Sequence, residues 1–261
     1  KRMDSMMIAA NIRKLSRIEL LYTCVAKLVI YLHKNHCDNL IKGMEHYCDP
    51  NDYNKIFYYS NDSDTVNQLD TILKDADSLL KSCGTDYDDI TEYQLLVRCL
   101  SEQTVVEEAS RRLRTKEDGG FHSKMLQNPS DPDATYRVKA GKEHQGYAAN
   151  LEETVGKNGS VITDYQFEQN HYSDSQFLKD SLARTEIQNE ESTMITDGAY
   201  SGKENHDLAA EKNIRLINTD LSGKPIDDIL ADFVFNETGT KVLRCPAGYE
   251  PKSCGYTGGK S

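Results

Sequence analysis

The spacing of apolar residues changes period several times along the chain. Residues 4–11, DSMMIAAN, place Met6, Ile8 and Ala10 at alternate positions, with Met7 and Ala9 also apolar between them. That pattern predicts a central strand buried on both faces. From residue 15 the period becomes helical: Leu15, Ile18, Leu21, Val25, Leu28, Val29 and Leu32 recur at three- and four-residue spacing in one broad stripe. Asp49-Pro50 breaks the pattern, and the Tyr-rich NDYNKIFYYSN reads as a cap or link. SDTVNQLDTILKDADSLLKSCG predicts a helix stopped by Gly84, and TEYQLLVRCLSEQTVVEEASRRLR predicts another. Residues 13–115 therefore read as one helical block.

Beyond it the pattern alternates. NPSDPDATYRV is a loop leading into a strand. HQGYAANLEETVGKNGSVITDYQFEQN carries two alternating runs around Lys-Asn-Gly, a hairpin signal. SDSQFLKDSLARTE opens on a Ser/Asp cap and predicts a helix. STMITDGAY is a strand, SGKENHDLAAEKN a helix with a capping-box pattern at Ser201 and Glu204, and IRLINTDL a last strand. The order β-β-α-β-α-β, with the strand at 4–11 ahead of the helical block, predicts an α/β fold interrupted after its first strand.

Charge refines this picture. The chain has 261 residues and a formal charge of −11, but the charge is unevenly spread. Residues 1–36 are net +5, 37–110 net −11, 111–149 net +3 and 150–261 net −8. The acidity is concentrated in the helical block between two basic segments, which leaves a polyanionic partner open without requiring one. LLYTCVAKLVIYL, residues 20–32, is interrupted by Lys27 and is too short to span a bilayer, and no signal peptide is visible. Seven scattered cysteines without CxxC spacing among the first five suit reduced thiols and a cytoplasmic protein. The abrupt start at KRMDS and stop at GYTGGKS suggest a piece of a longer polypeptide.

The chemistry centres on two acids. Asp197 ends a strand just before Gly-Ala-Tyr, where ligands gather in open α/β sheets; an ordinary aspartate capping the following helix has the same local pattern. Asp4 opens the first strand. If the two strands run antiparallel, or are offset, the carboxylates meet, and a hard divalent cation would relieve their repulsion. Paired metal ions of this kind serve phosphoryl transfer. Asp131 and Asp133 form a second acidic pair, followed by Arg137, Lys139, Lys142, His144 and Tyr147, which suit a phosphate backbone or a solvated strand edge equally. Cys245 and Cys254 are too few for a closed zinc site.

DSMMIAANIRKLSRIELLY, DPDATYRVKAGKEHQGYAANLEETV, TMITDGAYSGKEN and CPAGYEP together resemble bacterial insertion-sequence transposases of the DDE type, over nearly the whole chain and in the family's motif order. The resemblance is closest to the branch with a helical insert after the first acid and a cysteine-bearing insert after the second. It implies a ribonuclease-H-like mixed sheet with a large all-helical insertion after the first strand. The corresponding divisions are 1–12 for the first strand, 13–118 for the insertion, 119–230 for the rest of the core and 231–261 for the start of the cysteine-bearing insert. It implies two Mg²⁺ or Mn²⁺ ions and a reaction that cleaves DNA and transfers a strand. The partners would be transposon ends, target DNA and further copies of the enzyme. Asp4 matches the first catalytic, metal-binding acid and Asp197 the second. The third, a glutamate, lies in the family beyond the cysteine-bearing insert, so the chain is expected to be inactive alone; Glu250 lacks the helical context. The alternative is a non-catalytic remnant that binds DNA or a transposase. From charge alone, Arg13 and Lys14, with Arg17, and Arg137, Lys139 and Lys142 are the candidate DNA contacts.

Overall fold

The computed structural model describes residues 1–59, 65–108, 110–139, 141–219, 233–236 and 241–253. They form a mixed α/β protein whose main sheet combines parallel and antiparallel strands. The chain divides into two compact units: Lys1–Met6, Ala149–Phe167 and Tyr172–Ser261 make the first, Met7–Ala148 and Glu168–His171 the second.

The first unit is built on a sheet. Strand β1 (Arg2–Ala9) begins in it, and β5 (Lys142–Gly156) turns through Lys157-Asn158 into β6 (Gly159–Gln169), the hairpin expected from Lys-Asn-Gly. Helix α5 (Asp174–Arg184) follows, then β7 (Ser192–Asp197), α6 (Lys203–Glu211) and β8 (Ile214–Thr219). The strand order is β5-β1-β7-β8, with β6 hydrogen-bonded to β5. β1 pairs with β7 in parallel, as does β7 with β8. Met194 of β7, Ile214 and Leu216 of β8, and Phe177, Leu178 and Leu182 of α5 are buried, so the apolar halves of the strands meet the helices on one face. Ser173 caps α5, accepting from the Gln176 amide at 3.1 Å. Two short strands, β9 (Val234–Phe235) and β10 (Val242–Arg244), pair with each other.

Two expectations change here. β1 is not buried on both faces: Met3 and Ser5 are buried, while Met6 is 50% exposed on the opposite side. An uninterrupted apolar run cannot reveal that one face of the sheet is uncovered. Nor does Ser201 cap α6. The helix starts after Gly202 without a side-chain cap, Ser201 closes the preceding 3₁₀ turn, and Glu204 pairs with Lys179 at 2.5 Å.

The second unit is mostly helical. Helix α1 (Arg17–Lys34) begins in a complete capping box between Ser16 and Glu19 and buries Leu21, Val25, Leu28, Val29 and Leu32. Around it lie α2 (Asp52–Phe57), α3 (Thr65–Cys83) and α4 (Thr91–Gln103), which share one core with it. The Tyr-rich link is thus itself a short helix. Its surroundings are aromatic and acidic: Tyr22 donates to Asp52 at 2.6 Å and Tyr47 to Asp75 at 2.9 Å. α3 ends at Gly84, whose φ of +59° fits the expected stop.

The region is not all-helical. α4 ends at Gln103, and β2 (Thr104–Glu107) and β3 (Ser110–Leu113) form an antiparallel hairpin where the helical period had been extended. The β-branched run Thr104-Val105-Val106 favours extended backbone. Arg17 and Arg114 seal the helix end, donating to the carbonyls of Gln103 at 2.5 Å and Glu102 at 3.1 Å.

Strand β4 (Thr135–Lys139) pairs antiparallel with the beginning of β5. Gly146 sits where no side chain fits: its φ is +145°, and a Cβ would lie 2.2 Å from the Ile8 carbonyl oxygen and 2.6 Å from the Ala10 nitrogen. At Gly141, φ is +75° and the space is open. Gly146→Ala is expected to cost ~3 kcal/mol or more in urea denaturation, and Gly141→Ala about 1–2 kcal/mol. Equal costs would show that the close approach at Gly146 is unimportant.

Candidate metal site

The register of β1 against β7 builds the site. Arg2 is the Cα partner of Ile195, and the Ile195 amide donates to the Lys1 carbonyl at 2.9 Å. Asp4 and Asp197 each lie two residues further along these two strands. Neighbouring strands lie about 4.8 Å apart. Because side chains alternate, both aspartates project to the side opposite buried Met3 and Thr196. The two strands pair in parallel, where antiparallel or offset pairing was expected. Asp197 is also the partner of Thr219 on β8, which lines the same cleft.

Asp4, Asp197 and Thr219 line a cleft of about 640 Å³ together with Met6, Leu151, Ile162 and Ile195, Arg2 and Glu153. Each aspartate is oriented by one backbone amide. Ser5 N–H donates to Asp4 Oδ1 at 2.8 Å, and Ala199 N–H donates to Asp197 Oδ1 at 2.8 Å. Asp197 thereby caps the 3₁₀ turn Gly198–Tyr200, the structural role that its position before Gly-Ala-Tyr also allowed. The nearby cations are engaged elsewhere: Lys1 with Glu152 at 2.8 Å and Arg2 with Glu153. Among the described residues, neither Asp4 nor Asp197 is paired with a lysine or arginine.

Two carboxylates lining one cleft among aliphatic side chains, each with one oxygen tied to an amide and, among the described residues, without a basic partner, fit a hard divalent cation in the chemistry of their donor set. No group of three His, Cys, Asp or Glu suited to a metal occurs among the described residues.

Several residues not anticipated from the sequence lie beneath the acids. Ser5 Oγ donates to Asp174 Oδ1 at 2.6 Å, and the Tyr200 hydroxyl donates to Asn150 Oδ1 at 2.6 Å. Ser5, Asp174, Asn150 and Tyr200 are all buried. Burial, then the Asp174 carboxylate, holds the Tyr200 phenol protonated far above its ordinary range, with Asp4 and Asp197 adding to the effect. The signal available in the sequence was the alternation of β1, which puts a serine on the face opposite Asp4.

The candidate DNA contacts all lie in the second unit. Arg13 bonds Glu19 at 2.6 Å and the Tyr58 hydroxyl at 2.9 Å, and its guanidinium stacks over Tyr53. Lys14 pairs with Glu143 at 2.5 Å. Arg17 serves the end of α4, and Arg137 donates to the Asn170 carbonyl at 3.1 Å. Lys139 and Lys142 face each other in register at the end of the β4–β5 hairpin, with no ion pair among the described residues. Of the second acidic pair, Asp131 accepts from the Tyr147 hydroxyl at 2.5 Å, and the burial of Tyr147 beside it pushes that phenol up to about 12. Cys245 is a free thiol. Cys254, and with it the question of a cysteine pair, lies outside the described residues.

No protein-family model, curated protein or solved structure matches the chain. No helix among the described residues is long and apolar enough to cross a membrane.

If the aspartates hold a cation, Mn²⁺ titration followed by electron paramagnetic resonance will show binding weakened at least ~10-fold by either Asp4→Asn or Asp197→Asn. Unchanged binding in both variants would remove the site.

Proposed function

We propose that this chain carries the two-acid part of a DDE-type transposase core of ribonuclease-H-like fold, whose reaction is metal-dependent DNA cleavage and strand transfer. The observation that carries the proposal is that Asp4 and Asp197, on two strands that pair in parallel, line one cleft. The topology supports it: β6, β5 and β1 in succession, then β7 and β8 parallel to β1, with the long insertion inside the chain after β1.

Asp4 and Asp197 would hold Mg²⁺ or Mn²⁺, two ions in the complete site with its third acid. Such ions, when bound, activate the attacking oxygen and stabilise the leaving one. The chain's own contribution is orientation: the Ser5 and Ala199 amides fix one oxygen of each carboxylate and leave the other free to coordinate. Lys139 and Lys142 are the best placed of the candidate cations to meet phosphates, since Arg13 and Lys14 are neutralised by glutamates.

A second reading, a DNA-binding or transposase-binding protein without chemistry, is favoured by the lack of a third metal-ligating side chain among the described residues. Nicking of supercoiled plasmid in Mn²⁺, together with metal binding, separates the two. The catalytic reading expects Mn²⁺ bound through Asp4 and Asp197 and little or no nicking by this chain alone; nicking that survives EDTA, Asp4→Asn and Asp197→Asn would overturn it. Salt-dependent DNA binding with no Mn²⁺ bound through the two aspartates would transfer the assignment to the second reading. In either case, the double substitution Lys139→Ala, Lys142→Ala is expected to reduce the slope of log affinity against log salt by about 2. An unchanged slope would remove these lysines from the interface.

A further inference from the structure

We infer that Tyr200 and Ser5 are positioning residues that set the spacing of Asp4 and Asp197 and so decide which divalent ion the site prefers; this rests on the metal-site reading above. Each aspartate is adjacent to one end of a buried polar contact on the helix side of the sheet. Ser5 follows Asp4 directly, points through the sheet and donates to Asp174 in the first turn of α5 at 2.6 Å. Tyr200 lies three residues after Asp197, ends the turn that Asp197 caps, and donates to Asn150 of β5 at 2.6 Å.

The backbone of that turn is held as well. The Tyr200 carbonyl accepts from Asn205 Nδ2 at 2.7 Å, and Asn205 Nδ2 also donates to Ser175 Oγ at 3.0 Å. Tyr200 and Asn150 are 0% and 1% exposed, and Asp174 is 4% exposed. Both acids are therefore fixed from behind to α5 or to the neighbouring strand. Buried hydrogen bonds of this kind hold their members in one arrangement, because a broken partner cannot turn to water.

Rigidity of this sort discriminates between ions. Mg²⁺ requires near-octahedral geometry with bonds of about 2.0–2.1 Å, whereas Ca²⁺ accepts longer bonds of about 2.3–2.6 Å in flexible arrangements. Loosening the supports should weaken the small ions selectively. Side chains that orient ligands typically change metal affinity ~10- to 100-fold when removed.

The test uses the full chain and the metals themselves. Mn²⁺ binding is measured by electron paramagnetic resonance, and Mg²⁺ and Ca²⁺ are titrated as competitors, in wild type, Tyr200→Phe, Ser5→Ala and Ser5→Thr. Thermal unfolding identifies any variant that fails to fold. The expected result is an affinity for Mn²⁺ and Mg²⁺ lowered ~10-fold or more in Tyr200→Phe and Ser5→Ala, a much smaller change for Ca²⁺, and recovery in Ser5→Thr, which restores the hydroxyl. If every ion weakens by the same factor, or none does, the positioning role is wrong while the metal site stands. If wild type binds no Mn²⁺, or binds it independently of Asp4 and Asp197, the metal-site reading itself fails.

Discussion

The parallel pairing of β1 with β7 is the constraint from which the rest of the site follows. Side chains on a strand alternate between faces, so a slip of one residue would send Asp4 to the helix side. The register is held on one face and within the sheet. Met3 and Thr196 are buried against the helices, and the Lys1 carbonyl receives the Ile195 amide. With the strands paired, two aspartates nearly two hundred residues apart in sequence line the same cleft.

Among the described residues, no lysine or arginine pairs with either aspartate. Lys1 and Arg2, the nearest basic side chains in sequence, are taken by Glu152 and Glu153. Aliphatic neighbours line the cleft, and the buried Asp174 adds another carboxylate behind the sheet. Amide hydrogen bonds hold one oxygen of each carboxylate in place.

The second unit solves a different problem. Its core is formed by a single long helix whose apolar stripe is broad enough to meet several partners at once. The buried tyrosines Tyr22 and Tyr47 reach carboxylates, which satisfies their hydroxyls inside an otherwise apolar cluster. Arg13, Arg98, Arg111 and Arg112 are held in ion pairs. Lys139 and Lys142 stand out because the hairpin register sets two like charges opposite each other, an arrangement that would be destabilising without an anionic partner.

Periodicity and capping in the sequence were enough to determine most elements and their order. The stripe from Leu15 to Leu32, the stop at Gly84, the Lys-Asn-Gly hairpin and the cap at Ser173 are local signals, set by backbone preference and side-chain spacing within a few residues. They also made Asp4 and Asp197 visible as strand-borne acids. Local pattern could not place the end of α4, because Val105 and Val106 continue the helical spacing while Arg17, far away in sequence, caps the true end. Nor could it show that β1 has an open face, or that Ser5 and Tyr200 lie behind the acids. The direction and register in which two distant strands pair depend on which side chains find burial together, and that is decided only when the whole sheet and its helices assemble.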